Sequence, residues 1–419
     1  MNVTITPTPL SGTIKGIASK SLSHRALIAA ALSEGESRLE NLLDASDINA
    51  SIEALRALGA SAKGARITGP LNPKGHPQID CIESGSTVRF LIPIAAAYDV
   101  PVTFTGSGRL PKRPLDVYET LFKAKGVRYE RPEQTHLPLT LEGPLPSGTY
   151  KVPGNISSQF ITGLLFALPL VEGDSVIEVE EPFESKAYVD LTLATLKRFG
   201  IKVTPTPRRY QIPGNQTYTP ANMRVEADYS QAAFFLVGGL IGEPITVEGL
   251  HPESMQGDKK IIELITAMNG RLEMVGSTIT AKPSKTIGKT IDLSQIPDLG
   301  PILMILAALC TGKSRFINAG RLRLKESDRL QSMHTVLEAF GVPVKTMETS
   351  MEITGVKQLK GNITIDSDND HRVAMAAAIG AIRADGPVTI TNFEAVNKSY
   401  PNFLATLKNL GGTFRSDEQ

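Results

Sequence analysis

Three serines and two cations share seven consecutive residues near the start of the chain: Ser19-Lys20-Ser21-Leu22-Ser23-His24-Arg25. They crowd what reads as the first turn of an apolar helix, where the helix macrodipole favours acids. Two accounts fit: serines capping the helix beside solvated cations, or an anion held jointly by hydroxyls, N–H groups and side-chain charge. A second cationic cluster, Arg109-Leu110-Pro111-Lys112-Arg113-Pro114, reads either as a solvated loop or as a rigid anion clamp. Gly85, in ESGSTVR, is either a simple turn glycine or a point where backbone approaches a ligand. Further on, Lys325-Glu326-Ser327-Asp328-Arg329 opens an amphipathic helix. Glu326 and Arg329 then form a surface i,i+3 pair, or Glu326 is a proton-transfer group held between cations. The run DSDNDHR, residues 366–372, invites a calcium reading, but His371 stands sixth, where such a loop needs Gly. His371 and Arg372 at a helix start suit an anion better, and Lys398 in VNKSYPNF completes the set.

Two look-alikes fail on inspection. Gly312-Lys313-Ser314 resembles the end of a phosphate-binding loop, yet Ala307 takes the place of its first Gly. GSGRLP lacks the third glycine of a dinucleotide fingerprint.

The elements that must position these groups recur six times. A polar patch opens an apolar helix at Ser21, Ser86, Ser157, Ser230, Asp298 and His371, at intervals of roughly 65 to 73 residues. Each repeat adds a second, amphipathic helix that runs out at Gly, as in DINASIEALRALGA and KAYVDLTLATLKRFGI. Alternating strands such as VTFTG, SVIEVEE and VTITNF lie between. The first helices, RALIAAAL and ILMILAAL among them, lack a polar face and are therefore buried all round. Six helix N-termini offer unpaired N–H groups to anions, phosphates above all. The pattern predicts an α/β protein with three repeats per domain.

At 419 residues the chain suffices for two domains with ample cores. A net charge of +1 gives no support to nucleic-acid or membrane-surface partners. The two cysteines, Cys81 and Cys310, lie in apolar surroundings and read as buried free thiols of a reducing compartment. The start, MNVTITPTPL, alternates like a strand and carries no secretory signal pattern, and the apolar helices are too short to span a bilayer. A cytoplasmic protein, expected as a monomer, follows.

In their order and spacing, the motifs from SKSLSHR to NKSYPNF resemble the 5-enolpyruvylshikimate-3-phosphate synthase family, through all six repeats. The resemblance implies two similar domains of three βαβαββ units with buried helices, an inverse α/β barrel, facing one another across a cleft. It places one domain at residues 18–226 and the other at 1–17 plus 227–419. It implies transfer of the enolpyruvyl group of phosphoenolpyruvate to shikimate 3-phosphate, without metal or organic cofactor. On this match Lys20, Gly85, Arg113, Gln159, Arg329, Arg372 and Lys398 surround phosphoenolpyruvate. Lys20, Ser21, Arg25, Ser157, Ser158, Gln159, Ser185, Tyr188, Asp298 and Lys325 take shikimate 3-phosphate. Lys20, Asp298 and Glu326 carry the catalysis, and glyphosate competes for the phosphoenolpyruvate site.

The chain departs from the family pattern at Ile17-Ala18, where Pro-Gly is common, and at Glu83, Ser86 and Arg321. A sister enolpyruvyl transferase acting on a UDP-sugar is the nearest alternative, but such enzymes carry a Cys in the loop matching Arg109–Arg113, and none stands here. An RNA 3′-phosphate cyclase would need a histidine near the C-terminus, which FLATLKNLGG lacks. A non-catalytic repeat that binds polyanions is disfavoured by the balanced charge.

Overall fold

A helix buried on all sides cannot sit at a surface, and the chain answers by wrapping sheets around helices. The computed structural model describes residues 1–417. Its helices are α1 (Lys20–Leu32), α2 (Ser46–Ala57), α3 (Gly85–Ala96), α4 (Asp116–Lys123), α5 (Ser158–Ala167) and α6 (Lys186–Arg198), followed by α7 (Tyr229–Ile241), α8 (Ile261–Ala267), α9 (Gly300–Ala308), α10 (Arg329–Ala339), α11 (His371–Ala381) and α12 (Phe403–Asn409). Odd-numbered helices are the apolar members of each repeat; in α9 every residue is buried. The even-numbered ones are amphipathic. Five of their six ends pass through a left-handed glycine (Gly59, Gly126, Gly200, Gly341, Gly411), and Asn269 supplies that conformation after α8.

Six four-stranded sheets accompany them, all with one parallel and two antiparallel pairings. In one, Gly148–Pro153 runs parallel to Ser175–Glu180, with Lys151 opposite Glu178, and Ser175–Glu180 pairs antiparallel with Arg209–Ile212. Three sheets borrow a distant strand. Met223–Arg224 joins Glu36–Glu40, Gly12–Lys15 joins Ile245–Glu248, and Asn2–Thr6 sits between Val388–Thr391 and Thr413–Asp417.

The chain divides into two units, Ala18–Val225 in one, Met1–Ile17 with the residues from Glu226 onward in the other. Among the described residues each holds three sheets and six helices. In the second unit α7, α9 and α11 pack on one another, and their Phe234, Leu303 and Ile379 side chains are fully buried. The 25 cal/mol per Å² gained on burying apolar surface, taken as about that, makes these helices the anchor of the unit. Among the described residues no helix is long and apolar enough to cross a membrane.

Ser21, Ser86, Ser230 and His371 stand first or second in their helices, as expected, and the structure adds the caps. The capping side chains are Ser19, Ser84, Asp228 and Asp370, one or two residues before Ser21, Ser86, Ser230 and His371, while Ser157 is itself a cap. The cap must stand outside the helix with extended backbone, so its oxygen can reach the N–H two or three residues on. Asp298 caps nothing: it lies in a 3-10 turn, Pro297–Leu299, that leads into α9. Lys325 and Glu326 precede α10 rather than opening it, because Asp328 accepts from the Gln331 N–H and starts the helix at Arg329.

Candidate active site

In the unit of residues 18–225, the predicted groups gather at the N-terminal ends of α1, α3, α5 and α6. Ser19 Oγ accepts from the Leu22 N–H, and the next residue, Lys20, sends its ammonium to Asp47 Oδ2 at 2.8 Å. One turn later Arg25 is 2% exposed. Its Nε donates to Thr192 Oγ1 at 2.9 Å, and its terminal nitrogens donate to the carbonyls of Ser21 at 2.7 Å and Tyr188 at 2.9 Å. The same guanidinium lies over the Phe90 ring. Arg25 thus ties α1 to α6 and fixes the backbone that bears Ser21 and Tyr188. His24, fully buried, stays neutral because burial and the nearby Lys20 and Arg25 charges all lower its pKa. Its Nδ1 meets Ser51 Oγ at 2.8 Å, and Ser51 meets Thr87 Oγ1 at 2.7 Å, a chain linking α1, α2 and α3.

Gly85 begins α3, and the Arg113 guanidinium lies directly against it. Just before, Ile82 holds φ 53°, a left-handed conformation that a β-branched residue adopts only under local constraint. The Glu83 carboxylate rests on Gly108, in the turn before Arg109. On α5, Ser157 caps through the Gln159 N–H at 3.2 Å, Ser158 is buried, and Gln159 Nε2 donates to Ser86 Oγ at 2.8 Å. Ser185, 1% exposed with φ 54°, precedes α6, on which Tyr188 lies.

The second unit gathers Asp298, Lys325, Glu326, Arg329 and Arg372. Asp298 Oδ1 accepts from Lys325 Nζ at 3.2 Å and from Arg329 at 2.9 Å, its Oδ2 lies 3.5 Å from Arg372, and its backbone carbonyl accepts from Arg372 at 3.2 Å. Burial works against ionisation of Asp298, but Lys325, Arg372 and Arg329 outweigh it and hold the carboxyl well below the usual range. For Lys325 burial wins: despite Asp298, its ammonium is pulled down to about 8, with Arg329 and Arg321 adding to the effect. Arg329, 1% exposed, donates Nε to Asp370 at 2.7 Å and a terminal nitrogen to Glu326 at 2.6 Å, besides its bond to Asp298. Arg329 is therefore interior and Glu326 half-buried, so the pair is not a solvated surface salt bridge. Lys398, also buried, donates to the Asn369 carbonyl at 2.7 Å.

The caps differ by unit. Serines cap α1, α3 and α5, whereas carboxylates cap α7 and α11. An acid already neutralises those two positive helix ends, so anion attraction in the second unit falls to side-chain cations. Sequence reasoning did not single out Asp47, Arg89 or Asp370; the last stood within reach, immediately before His371 and Arg372 in DSDNDHR. It also missed Asp258, whose buried carboxyl is pushed up to about 7 by burial and the nearby Asp298, although Ser230 hydrogen-bonds to it.

Residues 5–407 match the family described as EPSP synthase (3-phosphoshikimate 1-carboxyvinyltransferase). A 3-phosphoshikimate 1-carboxyvinyltransferase of Clostridium novyi (strain NT) is 45% identical over 98% of this chain and 98% of its own. The enzyme of that name from Clostridioides difficile (strain 630) is 43% identical over 99% and 98%. Among solved structures, EPSP synthase from Acinetobacter baumannii is similar with a TM-score of 0.82 at 26% identity, covering 100% of both chains. The enolpyruvyl transferase NikO from Streptomyces tendae shares the fold, with a TM-score of 0.81 at 17% identity over 99% of this chain and 98% of its own. With a family match spanning nearly the whole sequence, the chain belongs to the EPSP synthase family.

Proposed function

We propose that this protein transfers the enolpyruvyl group of phosphoenolpyruvate to the 5-hydroxyl of shikimate 3-phosphate, releasing phosphate, as a transferase of the shikimate pathway. The observation that carries the reading is full-length similarity at 45% identity to enzymes of that name. The separation of roles rests on charge. Asp298, kept ionised by three cations, is a strong hydrogen-bond acceptor and a weak base, suited to orient the attacking hydroxyl. Glu326, held by Arg329 at 2.6 Å, is the partner for proton transfer.

In the addition step the hydroxyl oxygen bonds to carbon 2 of phosphoenolpyruvate, the hydroxyl proton leaves, and the methylene carbon gains a proton. In the elimination step that methyl carbon loses a proton, the carbon 2–phosphate oxygen bond breaks, and phosphate departs. Lys20 stabilises the leaving phosphate by charge. Gly85, Arg113, Gln159, Arg329, Arg372 and Lys398 receive phosphoenolpyruvate; Ser21, Arg25, Ser157, Ser158, Gln159, Ser185, Tyr188 and Lys325 receive shikimate 3-phosphate. Arg25 serves by holding Ser21 and Tyr188 as much as by contact. The buried free thiols support a cytoplasmic setting, and sedimentation velocity tests the expected monomer. Glyphosate is proposed to compete at the phosphoenolpyruvate positions.

The test is phosphate release from phosphoenolpyruvate dependent on shikimate 3-phosphate. Release driven equally well by a UDP-sugar, or no release at all, overturns the assignment.

A further inference from the structure

Arg89 stands on α3, one turn after Gly85, and is 3% exposed. One terminal nitrogen donates to Oε1 of Gln159 at 2.8 Å, and the other donates to the carbonyl of Pro114 at 3.0 Å. Its guanidinium carbon lies 5.2 Å from the centroid of the Phe160 ring, which seats the flat group from one side. The Tyr118 hydroxyl donates to the Arg89 carbonyl at 2.7 Å, so the backbone beneath is held as well.

The chemistry of the contact is directional. A guanidinium has donors only, so the amide oxygen of Gln159 must face Arg89 and its nitrogen must face the other way. That nitrogen donates to Ser86 Oγ at 2.8 Å, beside Gly85 at the start of α3. Were the amide to turn over, an oxygen would stand where an anion requires N–H. Pro114 directly follows Arg113, whose guanidinium lies on Gly85. A bond to the Pro114 carbonyl therefore pins the chain at the point from which the Arg113 side chain extends.

We infer that Arg89 is the positioning residue of the phosphoenolpyruvate subsite, setting the Gln159 amide donor-outward and anchoring the segment that bears Arg113. The inference rests on the proposed function for the roles of Gln159 and Arg113. Lysine cannot replace the residue, because a single ammonium does not reproduce the two-pronged planar fork.

The experiment is steady-state kinetics of Arg89→Lys, alone and in a Gln159→Ala background. Arg89→Lys should raise KM for phosphoenolpyruvate about tenfold or more, the loss expected for one charge-assisted contact, and change KM for shikimate 3-phosphate by less than about threefold. In the Gln159→Ala background the same substitution should have less than half that effect on a logarithmic scale, because contacting residues couple. Equal rises in both KM values, or full additivity, overturn the inference. Should circular dichroism show Arg89→Lys unfolded, Gln159→Glu keeps an oxygen for the Arg89 donor and puts a second oxygen where the amide nitrogen stands. An unchanged KM for phosphoenolpyruvate in that variant overturns the orientation argument. Failure of the proposed function itself looks different: the wild-type protein would then release no phosphate.

Discussion

A methyl group built on Gly85 would stand 2.6 Å from Nη1 of Arg113 and 2.8 Å from its guanidinium carbon. The obstacle is the far end of a flexible side chain, so Gly85→Ala is tolerated by the fold, with a stability change below about 1 kcal/mol. Its cost falls on the anion. Displacing the guanidinium weakens a charge-assisted contact worth about 1.5–3 kcal/mol, so KM for phosphoenolpyruvate rises. Glyphosate, the longer molecule, meets the methyl itself in addition, and its inhibition constant should rise by the larger factor. Parallel losses for substrate and inhibitor would mean the methyl acts through Arg113 alone.

The ammonium of Lys325 gives the protein a basic limit. Burial pulls it down to about 8, so it is charged below that pH and neutral above it in the unliganded protein. Affinity for shikimate 3-phosphate should therefore be full below about pH 8 and decline as pH rises past it. Folding stability responds in the opposite sense: the buried charge opposes folding below about 8, and that penalty fades towards the ordinary lysine value near 10.4. Lys325→Arg, charged throughout, should flatten the binding profile. Calorimetric titration across this range decides it, and a wild-type affinity that stays constant between about pH 7 and 9 would remove Lys325 from the shikimate 3-phosphate site.

Much of this was legible because it is written in local pattern. The all-apolar stretches of α1 and α9 announced their own burial, and the serines of SKSLSHR announced a cap. What stayed hidden was pairing across long separations. Lys20 meets Asp47 27 residues away, and Arg329 meets Asp370 41 residues away. Nothing in KESDR tells that its arginine is interior, since an i,i+3 pair looks the same on a surface. The opening of the chain reads as a strand, but its partner does not: Asn2–Thr6 pairs with Val388–Thr391 at the far end of the chain.

Lys20 and Arg25, five residues apart on α1, should separate function from stability. Arg25→Ala strips donors from the carbonyls of Ser21 and Tyr188 and from Thr192 in a buried setting, for a loss of about 3 kcal/mol or more. The Lys20–Asp47 pair is 14% and 10% exposed, between the surface and buried extremes, so Lys20→Ala should cost about 1–2 kcal/mol. Adding Asp47→Asn to Lys20→Ala should restore part of that stability but no turnover. Urea denaturation beside turnover measurements gives both numbers. Arg25→Ala with native stability would show its hydrogen bonds to be dispensable.

The two acidic groups differ in what a neutral isostere leaves behind. Asp298 is surrounded by Lys325, Arg329 and Arg372, and its ionised form is what those cations hold in place. Asp298→Asn removes that charge and puts N–H donors among donors, so the hydroxyl of shikimate 3-phosphate loses its acceptor. Affinity should fall by about 10- to 100-fold, the worth of a hydrogen bond to a charged group. Glu326→Gln keeps an amide oxygen for the Arg329 donor now 2.6 Å from the carboxylate, so Arg329 stays where it is. Only proton transfer is lost: binding should change little while turnover drops about 10²- to 10⁴-fold. Because the Asp298 carboxyl is depressed in the folded protein, its contribution to stability is present above the ordinary aspartate value near 3.9 and is lost only as pH falls through its lower native value. Acidification to about pH 5 should therefore leave the Asp298 network intact. Calorimetry of shikimate 3-phosphate binding to both variants is the deciding measurement, and equal losses of affinity would refute the division of roles.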